Sequence, residues 1–370
     1  MSEETQRAST HGALPAGFSL GECAAEHRQE QATLFNACFT KDLIKRDVAW
    51  RYDQNPHGVS VSLLAREEES GDAVSGYACS PRSAVADGAE ATVGQTGDVM
   101  THPGRRKLGV FSHLDRAAMK LTAEAGWACV FGLPNWRSAH IFEKLGWEVI
   151  GSVREWSLPV RMDMGAVRRR QRVARLALLR LPFERLRAYF GLKRLQPSLK
   201  GFDVRPLVGF PEEVSELSRR VEARYGFMIH RDADYLTWRF QRGRSGLHRS
   251  FGIYDHDGAF KGYVVVQLPR DGELHGFVVD LLAEGEARAA AMAAGLAALD
   301  KVNASIVHAT AVDGSAWADE LRAAGFSPAA DRNRMKIILH PHQSDHPVTI
   351  AARRTARWYF TDGDRDDETM

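Results

Sequence analysis

Cysteine is scarce in this chain, and its placement is uninformative by design of spacing: Cys23, Cys38, Cys79 and Cys129 are the four in 370 residues, and no two form a CxxC pair. That excludes the common zinc-knuckle and dithiol motifs, and none of the 14 histidines completes a ligand pattern with them, so no metal is expected. Buried free thiols in a reducing compartment are the simplest reading. Charge of one sign is also lacking. Lysine plus arginine number 49 against 47 acidic residues, a net charge of +2, so the molecule as a whole exerts no pull on nucleic acid. No apolar run approaches the roughly 18 residues of a membrane-spanning helix. The first residues are polar and lack the apolar centre of a secretory signal, which leads us to expect a cytoplasmic protein. What remains is ordinary globular composition, 44% apolar and 26% charged, with enough length for two domains.

The most informative stretch runs from Gly97 to Trp147. Asp98 to Thr101 reads as a short strand that His102-Pro103 must end, because proline cannot donate to a sheet ladder. Gly104 to Gly109 is a turn carrying Arg105, Arg106 and Lys107. Apolar residues then recur at Val110, Leu114, Ala117, Ala118, Leu121 and Ala125, a helical period closed by Gly126. Trp127 to Phe131 reads as a buried strand, and Ser138 to Leu145 as a second short helix ending at Gly146. The unit is strand, basic turn, helix, strand, helix. A helix N-terminus offers unpartnered amides and a favourable dipole, and cations beside it suit a polyanion such as a pyrophosphate. The turn by itself also fits a solvated basic loop.

Two motifs in order extend the pattern. The first is Arg106-Lys107-Leu108-Gly109-Val110-Phe111, following Thr101-His102-Pro103. The second comprises Asn135, Ser138, Phe142, Lys144, Gly146 and Trp147. Together they resemble the phosphate loop and the later signature of the GNAT superfamily of acyl-CoA-dependent N-acyltransferases. The resemblance implies an α/β (α+β) fold with a mixed, mostly antiparallel sheet flanked by helices. It also implies acetyl-CoA or another acyl-CoA as co-substrate. Its cofactor-binding residues would be Met100, Thr101, Arg106, Lys107, Leu108, Gly109, Val110, Phe111 and Asn135. Two positions depart from the family. Phe111 replaces a small residue of the loop, which narrows or reshapes the cradle. Phe142 stands where the family often has a tyrosine that protonates the leaving thiolate, and a phenyl ring has no proton to give.

The rest of the chain organises around this unit. Residues 1–16 are polar and read as disordered. A strand at Gly17-Phe18-Ser19-Leu20, a helix from about His27 to Phe39, Trp50-Arg51-Tyr52, and strands at Val59–Arg66, Gly76–Cys79 and Thr92–Val99 lead into it. Glu148 to Val160 should complete the first sheet. Residues 163–200 form a basic amphipathic linker, rich in arginine and leucine and interrupted near Pro182, that fits either a connector or a contact with an anionic membrane surface.

The second half repeats the first. Phe202-Asp203-Val204 mirrors Phe18-Ser19-Leu20, Trp238-Arg239-Phe240 mirrors Trp50-Arg51-Tyr52, Gly262-Tyr263 mirrors Gly76-Tyr77, and Gly325-Phe326 mirrors Gly146-Trp147. Steady offsets indicate an internal duplication, hence two tandem GNAT-like domains, residues 17–162 and 201–339, followed by a tail from 340 to 370. The second copy looks degenerate. Its loop position reads Glu284-Gly285-Glu286-Ala287-Arg288, and carboxylates there repel a pyrophosphate. In the tail, His340, His342 and His346 lack the fixed spacing of a metal site, and Trp358-Tyr359-Phe360 is an aromatic patch fit to dock back.

The resemblance implies direct attack of an amine on the thioester. An amide of Met100 or Thr101 would face the thioester oxygen, and Asn135 would contact the pantetheine arm or orient the thioester. Asp98 is a candidate general base, with His102 and His140 as alternatives, and Ser138 or water a candidate acid. The repeated Trp-Arg pair either frames an acceptor site or packs with its arginine reaching outward. The expected activity is N-acylation, N-acetylation first, of a small-molecule amine such as an amino sugar, an amino acid or a secondary-metabolite intermediate. Two rivals share the fold. Fem-type aminoacyl transferases use two such domains with aminoacyl-tRNA, which predicts a basic groove and no CoA binding. A non-catalytic acyl-CoA-binding module predicts affinity without turnover. Acceptor identity, acyl chain length and oligomeric state have no signature here.

Overall fold

The computed structural model describes residues 14–39, 42–161, 196–241, 246–270 and 272–366. Most of the expected N-terminal disorder and nearly all of the basic linker lie outside these residues. The described chain forms two compact units. The first comprises Met1–Gln54, Val59–Ser80 and Thr96–Ala125, and the second comprises Asn55–Gly58, Pro81–Gln95 and Gly126–Met370. Among the described residues no helix is long and apolar enough to cross a membrane.

The first unit is built on strands β1 (Phe18–Glu22), β2 (Val61–Glu67), β3 (Ala73–Ala86) and β4 (Ala89–Thr101), the last two of which also run into the second unit. β1 pairs antiparallel with β2, and β2 with β3. Asp87 and Gly88 join β3 to β4 with φ of 47° and 85°, the left-handed pair that a two-residue hairpin turn demands. Helices α1 (Arg28–Phe39) and α2 (Lys45–Asp53) bury Ala32, Leu34, Val48 and Tyr52. Leu34 packs with Leu64 and Met100, while Ala32, Val48 and Tyr52 pack with Ala78. A Cβ at Gly76 would stand 2.6 Å from the Met100 terminal methyl, which would have to move aside. Helix α3 (Val110–Glu124) follows β4. Val110, Leu114 and Ala118 are at most 1% exposed, the face that the sequence periodicity picks out.

The second unit holds β5 (Cys129–Gly132), α4 (Ala139–Lys144) and β6 (Glu148–Pro159). After the undescribed linker come β7 (Asp203–Leu207), α5 (Glu213–Glu222), β8 (Phe227–Ile229), α6 (Ala233–Gln241), β9 (His248–Tyr254), β10 (Phe260–Gln267) and β11 (His275–Ala283). These are followed by α7 (Ala287–Lys301), β12 (Ile306–Val312), α8 (Ala316–Ala323), β13 (Ser327–Pro328), β14 (Met335–Pro341), α9 (Pro347–Ala352) and β15 (Trp358–Tyr359). Both halves carry strand, helix, helix, three strands, helix, strand, helix and strand in that order, the second with β8 inserted between its first two helices and β13 before its last strand. Alanine and glycine on α7 let that helix approach the sheet: Ala290, Ala291 and Leu296 are fully buried, and a Cβ at Gly295 would lie 3.0 Å from Val264.

The sheet order in this unit runs β5-β14-β6-β12-β11-β10-β9-β7. β14, from the end of the second repeat, sits between β5 and β6 of the first, antiparallel to both. β6 in turn pairs by its C-terminal part with β12, from Val153↔Val312 to Pro159↔Ile306. The two repeats therefore share a pair of strands at the centre of the sheet. Ile337, Ile338 and Leu339 are fully buried there. Residues 340–352 pack as the end of β14 and as α9, and the aromatic patch docks: Trp358, Tyr359 and Phe360 are at most 2% exposed, with β15 pairing parallel to β8.

Candidate functional site

The end of β4 and the turn into α3 carry most of the residues that the motifs single out, and all of these lie in the first unit. Asp98 has φ of 48°, a left-handed residue inside a strand, which marks a bulge. Its carboxylate is taken up by α2. Arg51 Nη1 donates to Oδ1 at 2.6 Å, and the Tyr52 hydroxyl donates to Oδ2 at 2.5 Å. The pair is largely dry, with side chains 11% and 7% exposed. Burial and the Asp98 charge push the Tyr52 phenol well above its ordinary range, so it stays a donor. The first Trp-Arg motif thus has a role of its own, holding the bulge of β4, while Trp50 packs in the core at 5% exposure. Any role for Asp98 as a base must begin with both oxygens engaged.

Beyond Asp98, Met100 is buried and its carbonyl accepts from Ser75 Oγ at 2.8 Å. The Thr101 hydroxyl meets Ser75 Oγ at 2.9 Å, and the Thr101 carbonyl accepts from Arg106 Nε at 3.2 Å. His102 caps the short turn at Pro103–Arg105, its Nδ1 accepting from the Gly104 amide at 3.3 Å. Arg105 points away from the loop into a paired contact with Glu67, both bonds at 3.0 Å, which holds the Glu67 carboxyl below its usual range. Two cations remain exposed on the turn, Arg106 and Lys107, with Leu108 46% exposed beside them. A cleft of about 670 Å³ opens next to this turn, its walls including Glu30, Leu34, Glu67, Asp72, His102 and Arg105.

Gly109 is the N-cap of α3 with φ of 82°, and nothing lies within 4 Å of where a Cβ would stand. That is open space above the first amides of a fifteen-residue helix. Val110 is buried beneath the loop. Phe111 leans toward the sheet, its ring centroid 6.1 Å from that of Tyr77, whose hydroxyl donates to Asp115 on the same helix. The bulky residue in the loop motif is thus accommodated against β3. With open space at the cap, an anion-attracting helix end and two exposed cations, these residues fit a pyrophosphate-bearing ligand.

Asn135, Ser138 and His140 belong to the second unit, the first two between β5 and α4 and His140 on α4. Asn135 caps the turn, its Oδ1 accepting from the amides of Arg137 at 2.9 Å and Ser138 at 3.1 Å. Ser138 Oγ donates back to the Asn135 carbonyl at 3.3 Å. His140 is exposed on α4. Phe142 is 2% exposed and packs edge-on against Trp147, ring centroids 5.1 Å apart, so it serves the core.

In the second repeat the corresponding turn is put to other uses. Glu284 accepts from Arg220 at 2.6 Å, and Arg288 is 9% exposed, paired with Glu320 and lying over the Tyr359 ring. Arg239 of the second Trp-Arg motif donates to the Arg365 carbonyl at 2.7 Å. His346 caps α9, and no group of three metal-binding side chains occurs among the described residues. Sequence reasoning missed Tyr52 and Ser75. Tyr52 directly follows a flagged motif, but nothing in one sequence pairs it with a carboxylate 46 positions away.

Residues 22–150 match the family model described as the acetyltransferase (GNAT) domain. No sequence among the curated proteins matches the chain. Among solved structures, the chain is similar to a GCN5-related N-acetyltransferase from Kribbella flavida, with TM-score 0.60, 15% identity, and 88% and 71% of the two chains covered. It is similar to the Saccharomyces cerevisiae N-myristoyltransferase with bound myristoyl-CoA, with TM-score 0.59, 12% identity, and 90% and 85% covered. It is also similar to a tandem GNAT protein from the clavulanic acid biosynthesis pathway, with TM-score 0.53, 15% identity, and 88% and 98% covered. Residues 22–150 thus match the GNAT acetyltransferase domain model, and the chain as a whole shares the fold of GNAT proteins, a tandem one among them.

Proposed function

We propose that the protein is an acyl-CoA-dependent N-acyltransferase that acylates a small-molecule amine, with acetyl-CoA as the first donor to test. The observation that carries this reading is the β4–α3 turn: a left-handed glycine cap, open space above it and exposed Arg106 and Lys107. Acyl-CoA, when bound, supplies an activated thioester. The first amides of α3 with Arg106 and Lys107 hold the pyrophosphate. The backbone of Met100 and Thr101 receives the pantetheine arm as an added strand and aims an amide at the thioester oxygen. Asp98, tied to Arg51 and Tyr52, sets the bulge that orients these residues. His102 then takes the amine proton, with Asp98 reserved for that step only where substrate displaces Arg51. Water returns a proton to the thiolate; a fall in turnover in Ser138→Ala would assign that role to the serine instead.

Calorimetric titration with acetyl-CoA tests the reading. The parent is expected to bind one equivalent and the Arg106→Ala, Gly109→Glu variant to lose binding, after which an amine library identifies the acceptor. Absence of binding to acetyl-CoA, longer acyl-CoAs and free CoA alike overturns it. Binding without turnover on any amine leaves the chain an acyl-CoA-binding module, the reading that the buried, proton-free Phe142 favours.

A further inference from the structure

β11 and β12 lie side by side yet pair over three rungs, His275↔Ile306 to Phe277↔His308. Beyond these rungs the C-terminal segment Trp358–Asp364 stands against both strands. The Tyr359 hydroxyl donates to the Leu281 carbonyl on β11, and Thr361 Oγ1 donates to Asp280 Oδ1 at 3.0 Å. From β12, Thr310 Oγ1 donates to Asp362 Oδ1 at 2.7 Å. Trp317 on α8 donates its indole N–H to the Thr310 carbonyl and sets its ring edge-on to Tyr359 at 5.9 Å. Arg231, 1% exposed, bridges the groove and the segment, donating to Asp280 at 3.2 Å and to Asp364 at 2.6 Å. Gly363 is required by close approach, since a Cβ there would lie 2.9 Å from the Phe240 ring and 3.3 Å from the Asp280 Cβ. Trp358, Tyr359, Thr361 and Asp364 are each 1% exposed.

We infer that the second repeat is a peptide-binding groove whose ligand is the chain's own C-terminal segment. The ligand class is a peptide with two or three aromatic residues followed by Thr-Asp-Gly-Asp, extended at Trp358–Tyr359 and turned into a short 3-10 helix at Asp362–Asp364. The recognising groups are Arg231 for the carboxylates, Thr310 and Asp280 for the polar side chains, and the Trp317 and Phe240 rings for the aromatic and glycine positions. A groove filled by these buried groups has no room for a pantetheine arm, which is why this repeat dispenses with a basic loop. Occupancy also reaches β4: the Asp364 carbonyl accepts from Gln95 Nε2 at 2.7 Å, and Gln95 Oε1 accepts from Arg82 Nε at 3.0 Å. The segment thus fixes Gln95 within the second unit. The inference does not depend on the donor or acceptor assigned to the first repeat.

The test is a chain ending at Arg354, titrated calorimetrically with a synthetic peptide of residues 355–370. One-to-one binding is expected, weakened about tenfold or more when the peptide carries Gly363→Leu or Asp364→Ala. Should the shortened chain not fold alone, refolding is repeated with and without the peptide, and recovery of the far-UV spectrum only with peptide supports the groove. A shortened chain that folds and ignores the peptide overturns the inference, as does one that stays unfolded with or without it.

Discussion

Asp98 is the residue on which two roles compete, and stability separates them. Asp98 is the carboxylate paired with the largely buried Arg51, and breaking such a pair costs about 3 kcal/mol. Asp98→Asn is therefore expected to lower urea-unfolding stability by about that amount and to weaken acyl-CoA binding with it. Full stability with activity abolished assigns it the base role instead. Gly109→Ala is a gentler probe. Its φ of 82° puts an L-residue in the left-handed region, a penalty of about 1 kcal/mol, read by the same urea titration. The thiols offer a third check at this scale. Burial pushes Cys129 up to about 12 and raises Cys23, Cys38 and Cys79 above their usual value. Only Cys38 is partly exposed. A thiol reagent at neutral pH is expected to modify Cys38 first and slowly, with the other three reacting on unfolding.

At the scale of the element, β14 decides what can fold alone. It fills the space between β5 and β6 with Ile337, Ile338 and Leu339 fully buried. A fragment ending at residue 162 leaves one edge of β5 and both edges of β6 without partners, a template for aggregation. Such a fragment is expected to elute as aggregate and show no cooperative melt, whereas the full chain melts cooperatively. The docked aromatics belong to the same scale. Trp358→Ala removes a ring stacked at 4.5 Å on Phe227 and is expected to cost about 3 to 5 kcal/mol by thermal unfolding.

At the scale of the molecule, half-buried histidines set the acid limit of the second unit. Desolvation lowers His248 and His342 to about 4, and lowers His57 and His340 as well. Each is neutral in the fold while its unfolded counterpart takes a proton near pH 6.5. Between those values the unfolded chain binds more protons, so stability is full above about pH 6.5 and falls as pH drops toward about 4. Melting temperatures at pH 7 and pH 5 should show the fall, and His248→Phe should flatten it.

The local elements, the loop motif and the duplication were readable from residue order, because periodicity, glycine positions and motif spacing are properties of neighbours along the chain. Val110, Leu114 and Ala118 announced the buried face of α3, and Gly109 its cap. Tertiary structure alone decided that β14 inserts between β5 and β6, that Arg51 and Tyr52 hold Asp98, and that the C-terminal segment fills the β11–β12 groove. These join residues dozens to hundreds of positions apart. Their partners are chosen by which edges, charges and cavities remain unsatisfied once the local elements have formed, and that selection leaves no trace in a single sequence.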